Sequence, residues 1–159
     1  AAVWKGKFVF AGGENRSGHV GVVAIYDPER NVWGSGQAQS QPASNVSGVV
    51  LGDLFYLPGG TLPNGQISNR LAIYNLARDQ WETGTALPHP LTGYALALFD
   101  QQIYLFGGWD GQKVQDQIYR FDTRDKTWSL LGTLPQPLLF AAAASDQKCI
   151  YLAGGWNGN

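Results

Sequence analysis

The sequence predicts an all-β protein built from tandem four-stranded antiparallel sheets, and three observations carry that prediction. Paired glycines at Gly12-Gly13, Gly59-Gly60, Gly107-Gly108 and Gly154-Gly155 recur at intervals of 47, 48 and 47 residues. An aromatic residue and a tryptophan keep the same register, Tyr26 with Trp33, Tyr74 with Trp81 and Phe121 with Trp128, each pair seven positions apart. Finally, the apolar runs are four to seven residues long, rich in β-branched and aromatic side chains and bounded by turn formers, which is the pattern of buried strands rather than of helices.

Within each period four strands, A to D, can be placed. Strand B precedes each glycine pair: Lys7 to Ala11, Leu54 to Leu57, Ile103 to Phe106 and Ile150 to Ala153. Turn dipeptides follow it, Asn64-Gly65, Asp110-Gly111 and Asn157-Gly158, in which both central residues accept positive φ. Strand C spans Val22 to Tyr26, Leu71 to Tyr74 and Gln117 to Phe121 and ends at a polar corner, after which the Trp opens strand D. Strand A is expected within Val46 to Leu51, Tyr94 to Phe99 and Leu139 to Ser145, and turns into B through Gly52-Asp53, Asp100-Gln101 or Asp146-Gln147.

The segments IYLFGGWDGQKVQDQIYRFDTRDKTW and LFYLPGGTLPNGQISNRLAIYNLARDQW resemble the kelch repeat almost from end to end, and the resemblance covers essentially the whole chain. It implies a β-propeller, in which each repeat is one four-stranded blade. Residues 1–159 then form a single kelch-repeat region: strands B to D of a first blade at 5–36, full blades at 45–85 and 91–131, and strands A and B of a further blade at 138–155. About three repeats fall short of the 4–8 blades that close such a ring. The expectation is a partial propeller, either part of a larger chain or a half-ring that assembles as a homo-oligomer and covers its open faces.

Composition narrows the function. Eleven Lys and Arg balance twelve Asp and Glu, for a net charge of −1, with no basic patch to follow a phosphate backbone, so no nucleic-acid partner is expected. Charged residues are 14% of the chain against about 25% in typical globular domains. The longest apolar runs fall far short of the roughly 20 residues that cross a bilayer, so no membrane partner is expected. The one cysteine, Cys149, sits inside the apolar run Cys149-Ile150-Tyr151-Leu152 and reads as a buried free thiol within a strand. None of this fixes a cellular compartment.

The resemblance implies that B–C loops and D–A linkers gather on one face around a central channel and carry binding. These are residues 14–20, 61–70 and 109–116, and residues 37–45, 86–92 and 133–138. The candidate face residues are Trp109 and Trp156, which directly follow glycine pairs, with Arg16, His19, Asn64, Arg70, His89 and Asp110. Rigid indole rings suit a peptide or a sugar because they contribute contact area at little entropic cost. Kelch adaptors often carry an Arg near the start of strand A, facing the channel mouth; the register gives Ala43, Leu91 and Leu138 there, so an apolar or neutral partner is expected rather than an acidic peptide. The expected function is a non-catalytic protein- or peptide-interaction module. The alternatives are a fragment of a propeller enzyme or carbohydrate binder, similar to galactose oxidase or a sialic acid epimerase, and a self-assembling unit. No catalytic residue, metal set or cofactor is assigned. The two histidines alone are too few for a typical zinc site.

Overall fold

In the computed structural model, residues 1–158 are described; Asn159, the last residue of the repeat region, lies outside the described residues. Sixteen strands and no helix are found among them, and every strand pairing is antiparallel. The first blade contains β1 (Ala2–Trp4), β2 (Lys7–Ala11), β5 (Val23–Asp27) and β6 (Val32–Gly36). A two-stranded ribbon, β3 (Glu14–Asn15) with β4 (Gly18–His19), projects from its B–C loop. The second blade is β7 (Val49–Leu51), β8 (Leu54–Pro58), β9 (Leu71–Asn75) and β10 (Gln80–Gly84). The third is β11 (Ala95–Phe99), β12 (Gln102–Phe106), β13 (Gln117–Asp122) and β14 (Thr127–Thr133), and a last hairpin pairs β15 (Ala142–Ser145) with β16 (Ile150–Ala153). The fold is therefore all-β, with three four-stranded blades and a two-stranded one, as a partial kelch propeller requires.

The first blade differs from the expectation of strands B to D alone, because Ala2–Trp4 supplies its strand A. Lys5 and Gly6 both take positive φ and close the A–B hairpin, and the strand is so short that its three residues carry no period of their own. Strand A also begins later than expected in the other blades, since residues 45, 93 and 140 adopt a left-handed conformation that breaks the strand before Val49, Ala95 and Ala142.

The seven-residue aromatic spacing is the C–D hairpin read along the chain. Tyr26 lies opposite Trp33, Tyr74 opposite Trp81 and Phe121 opposite Trp128, with ring centroids 4.9, 4.8 and 4.8 Å apart. At each corner a side-chain oxygen caps the turn: Asp27 accepts from the N–H groups of Glu29 and Arg30, Asn75 from Ala77 and Arg78, and Asp122 from Arg124 and Asp125. A left-handed residue, Asn31, Asp79 or Lys126, then returns the chain into strand D.

Both faces of the inner blades are buried, which explains why their strands read as continuous apolar runs. Along β8, Phe55 and Leu57 face the first blade while Tyr56 faces the third; along β11, Leu96 faces the second blade while Ala95 and Ala97 meet the alanines of the last hairpin. The period-two alternation thus sorts large and small side chains onto opposite blade junctions. Trp81 Nε1 donates to Gln37 O at 2.8 Å and Trp128 Nε1 to Thr85 O at 2.9 Å, each reaching back to the end of the preceding blade.

Cys149 is exposed rather than buried, and it sits in the A–B turn ahead of β16 instead of within the strand. Its N–H donates to Asp146 Oδ1 and its carbonyl accepts from Asp146 N, so the backbone is committed to the turn and the thiol is carried out to solvent.

The corner carboxylates also set a pH dependence. N–H donors hold Asp122 below the ordinary carboxylate range, first that of Asp125 and then that of Arg124. Because the folded-state pKa is the lower one, this contribution is complete above the ordinary Asp pKa of about 3.9 and is lost as pH falls through and below that value. Asp122→Asn is expected to keep the turn, as Asn75 already does in the second blade, and to weaken the acid destabilisation seen in thermal melts between pH 7 and 3.

Candidate recognition face at the channel mouth

The A strands form the inner edge of every blade and line a channel. Residues of β1, β7, β11 and β15 border a cavity of about 480 Å³, walled by small and aliphatic side chains such as Val49, Leu96, Leu98 and Ala142.

The channel mouth on the B–C side is laced together by main chain. The second glycine of each of the first three pairs donates to a carbonyl of the next blade: Gly13 to Ala43 O at 3.4 Å, Gly60 to Leu91 O at 2.9 Å and Gly108 to Leu138 O at 2.7 Å. A second string runs closer to the axis, from Gly93 N to Asn45 O at 3.0 Å and from Phe140 N to Gly93 O at 2.7 Å. Within each blade the residue after the glycine pair is bridged to the start of strand A, Thr61 with Ser44, Trp109 with Thr92 and Trp156 with Leu139. Thr92 Oγ1 lies 3.1 Å from both Thr61 Oγ1 and Asn45 O, and the Tyr94 hydroxyl donates to the carbonyls of Ser47 and Pro58 in the second blade. Burial raises the Tyr94 phenol above its ordinary range, which favours the protonated, donating form.

The D–A linkers lie against the B–C loops along this same face. Leu87 N donates to Asn69 O at 2.7 Å, Leu91 N to Ser68 O at 3.1 Å, Leu134 N to Asp116 O at 2.7 Å and Leu138 N to Gln115 O at 3.0 Å. Loops that would be mobile in isolation are thereby tied down by backbone hydrogen bonds.

Among the candidate residues, Trp156 is 50% exposed and Trp109 half-buried, both fixed through the bridges just described. Arg16 stands exposed at the tip of the β3–β4 ribbon. His19 Nε2 lies 2.9 Å from Ser44 Oγ, whereas His89 packs edge-on to Tyr119, its Nδ1 3.4 Å from that hydroxyl. The two histidines thus serve separate blade junctions. Arg70 is a strut, with Nη1 donating to Gln41 Oε1 at 2.9 Å and Nη2 to Thr83 Oγ1 at 3.1 Å. Asn64 and Asp110 cap their own turns, through Gln66 N for Asn64 and through Gln112 N and Lys113 N for Asp110. Partial burial pushes the Asp110 carboxyl up, but the donors of Lys113, Gln112 and Gln115 together hold it below the ordinary range. Among the described residues, no three His, Cys, Asp or Glu side chains cluster as a metal site would require.

One expectation about the mouth is corrected. Ala43, Leu91 and Leu138 do not point into the channel; their carbonyls face the glycine pair of the preceding blade, and Ala43 and Leu91 are buried at that junction. The positions linked directly from blade to blade ahead of the A strands are Asn45, Gly93 and Phe140, two residues further along, next to the cavity-lining Val46 and Ala141. The sequence carried a signal for them, since they too repeat at 48 and 47, but their identities are so unlike that composition hides the register.

A family model described as the KLHDC2/KLHL20/DRC7 Kelch-repeats domain matches residues 1–159. Kelch-like protein 26 of Danio rerio is 29% identical over 106 residues, covering 67% of this chain and 18% of that protein. A probable serine/threonine-protein kinase of Dictyostelium discoideum is 28% identical over 139 residues, covering 80% of this chain and 10% of that protein. Kelch-like protein terF of Aspergillus terreus is 26% identical over 143 residues, covering 80% of this chain and 31% of that protein. The chain thus spans between a tenth and a third of these relatives.

Proposed function

Because this chain belongs to the kelch-repeat family, we propose that it is a non-catalytic interaction module that captures a protein or peptide on the face made by its B–C loops and D–A linkers. The observation that carries this reading is the mouth itself. Main-chain hydrogen bonds fix the loops, and side chains such as the half-exposed Trp156 stand on a preorganised frame. A frame that is already ordered loses little entropy on binding, and aromatic anchors dominate such interfaces. The polar candidates Arg70, Asn64 and Asp110 shape the loops, and Arg16 and His19 border them on the first blade.

Selection of phage-displayed random peptides on the immobilised chain tests the reading. Trp156→Ala and Trp109→Ala are each expected to weaken the selected peptides by roughly tenfold or more. Peptides that bind both variants as well as the native chain would refute it. Saturable binding of simple sugars, or tight copper uptake, would instead favour a carbohydrate-binding or oxidase-like role.

A second reading has its own observation. The first blade leaves Val3, Phe8, Val32 and Trp33 exposed, and the last hairpin and β14 leave Leu130, Leu131 and Tyr151 exposed. Apolar blade faces of this kind favour association with further blades, of another copy or of a longer chain. Light scattering over a wide concentration range gives a stable oligomer if copies complete one another and a monomer if they do not.

A further inference from the structure

We propose that Phe140 is an affinity-determining contact of this recognition face, held in an unfavourable backbone conformation so that its ring meets an uncharged, apolar segment of the bound protein. The inference rests on the interaction-module reading and names a residue and a ligand chemistry that the reading leaves open.

Three equivalent positions ring the channel mouth, Asn45 at φ 52°, Gly93 at φ 63° and Phe140 at φ 56°. Gly and Asn are the residues that enter the left-handed region most readily, whereas a bulky side chain there is an outlier. The repeat itself is the control: two blades solve the same backbone problem with residues suited to it, so the fold does not ask for an aromatic ring at the third. The conformation is imposed from outside, by the hydrogen bond from Phe140 N to Gly93 O and by the neighbouring bridge between Leu139 and Trp156. The ring lies over Gly93, where an added Cβ would fall 2.9 Å from Phe140 Cε1, yet the residue remains 62% exposed. Strain of this kind, retained at a ligand-facing position, marks function more often than packing.

The surroundings specify the occupant. Trp156 adjoins through its pairing with Leu139, and Trp109 through its pairing with Thr92 next to Gly93. The nearby candidate charges are already engaged, Arg70 by Gln41 and Thr83 and Asp110 by its own turn. Arg16 is exposed, but it stands on the first blade, at the other end of the row of blades from Phe140. Around Phe140 the mouth offers aromatic faces and engaged charges, which complement an apolar side chain on a neutral extended segment better than a carboxylate that must be desolvated.

The experiment compares Phe140→Ala with Phe140→Gly, using peptides selected by phage display on the native chain, with affinity from fluorescence anisotropy and melting temperature from calorimetry. Both variants lack the ring, so both are expected to lose roughly tenfold or more in affinity, by the same factor. Only glycine relieves the backbone, so Phe140→Gly is expected to melt a few degrees above Phe140→Ala, the reverse of the usual order. Binding within twofold of the native chain in both variants would overturn the contact, and equal or inverted melting temperatures would overturn the strain. Selected peptides rich in Asp and Glu would overturn the ligand chemistry. A change in oligomer mass without a change in peptide affinity would make the occupant a second copy and overturn the proposal. If instead the peptides ignore Trp109→Ala and Trp156→Ala as well, the recognition-face reading itself fails.

Discussion

Gly59→Ala is expected to destabilise the chain by about 3–5 kcal/mol and to lower its melting temperature by roughly 10 °C, read by calorimetry or urea titration. Gly59 sits at φ 66°, where an L side chain costs about 1–2 kcal/mol. The larger effect is steric. A Cβ there would overlap the Leu91 carbonyl oxygen and lie 3.2 Å from Ser68 O, both backbone atoms that cannot swing aside. That carbonyl accepts the hydrogen bond from Gly60 N that joins the second and third blades, so relieving the overlap opens the blade junction. Gly65→Ala is the matched control. It lies at φ 80° but has nothing within 4 Å of an added Cβ, and is expected to cost only about 1 kcal/mol. Similar losses for the two variants would mean that backbone strain, not blade approach, explains the glycine pairs.

Trp128→Ala is expected to cost about 3 kcal/mol, while the same change at Trp33 is expected to cost about 1 kcal/mol or less, measured as the shift in urea midpoint. The two residues hold the same place in the repeat, each opposite an aromatic residue of strand C, Tyr26 for Trp33 and Phe121 for Trp128. Trp128 packs into the junction with the second blade and its indole N–H donates to Thr85 O, so its loss leaves a cavity there and removes a tie between the two blades. Trp33 is 64% exposed on the open side of the first blade and stacks on Tyr26 and Phe10 without a neighbouring sheet. Equal costs would show that the tryptophan acts through its own hairpin rather than across the junction.

Those tryptophans illustrate what a repeat makes legible and what it conceals. The period, the C–D hairpin and the strand-B runs could be read because each recurs with the same chemistry: glycine where blades meet, an aromatic opposite a Trp, an Asp or Asn at the corner. Trp33 and Trp128 look alike in sequence, and only the presence or absence of an adjoining blade separates a buried anchor from an exposed ring. Strand A of the first blade was missed because Ala2–Trp4 is three residues long and Lys5-Gly6 lacks the Asp of the other A–B turns. Ala43, Leu91 and Leu138 were placed in the channel because register alone does not reveal that the chain reaches the axis two residues later. Phe140 went unnoticed for a related reason: its equivalents are Asn and Gly, and a shared φ leaves no shared side chain to align. The polar loop residues were visible, but a sequence does not show that Arg70, Asn64 and Asp110 are already occupied by their own loops.

The inner string from Asn45 to Gly93 to Phe140 uses only peptide N–H and C=O groups, and so do the ties from the glycine pairs to the next blade. No side chain at the mouth is needed to keep those links intact. The scaffold and its specificity are therefore written in separable alphabets, and the rim residues behave like interchangeable type set in a fixed frame. On the proposed reading, rim side chains that hold no turn or linker could be exchanged to change what is bound while the main-chain frame stays intact, which is how one architecture comes to serve unrelated ligands.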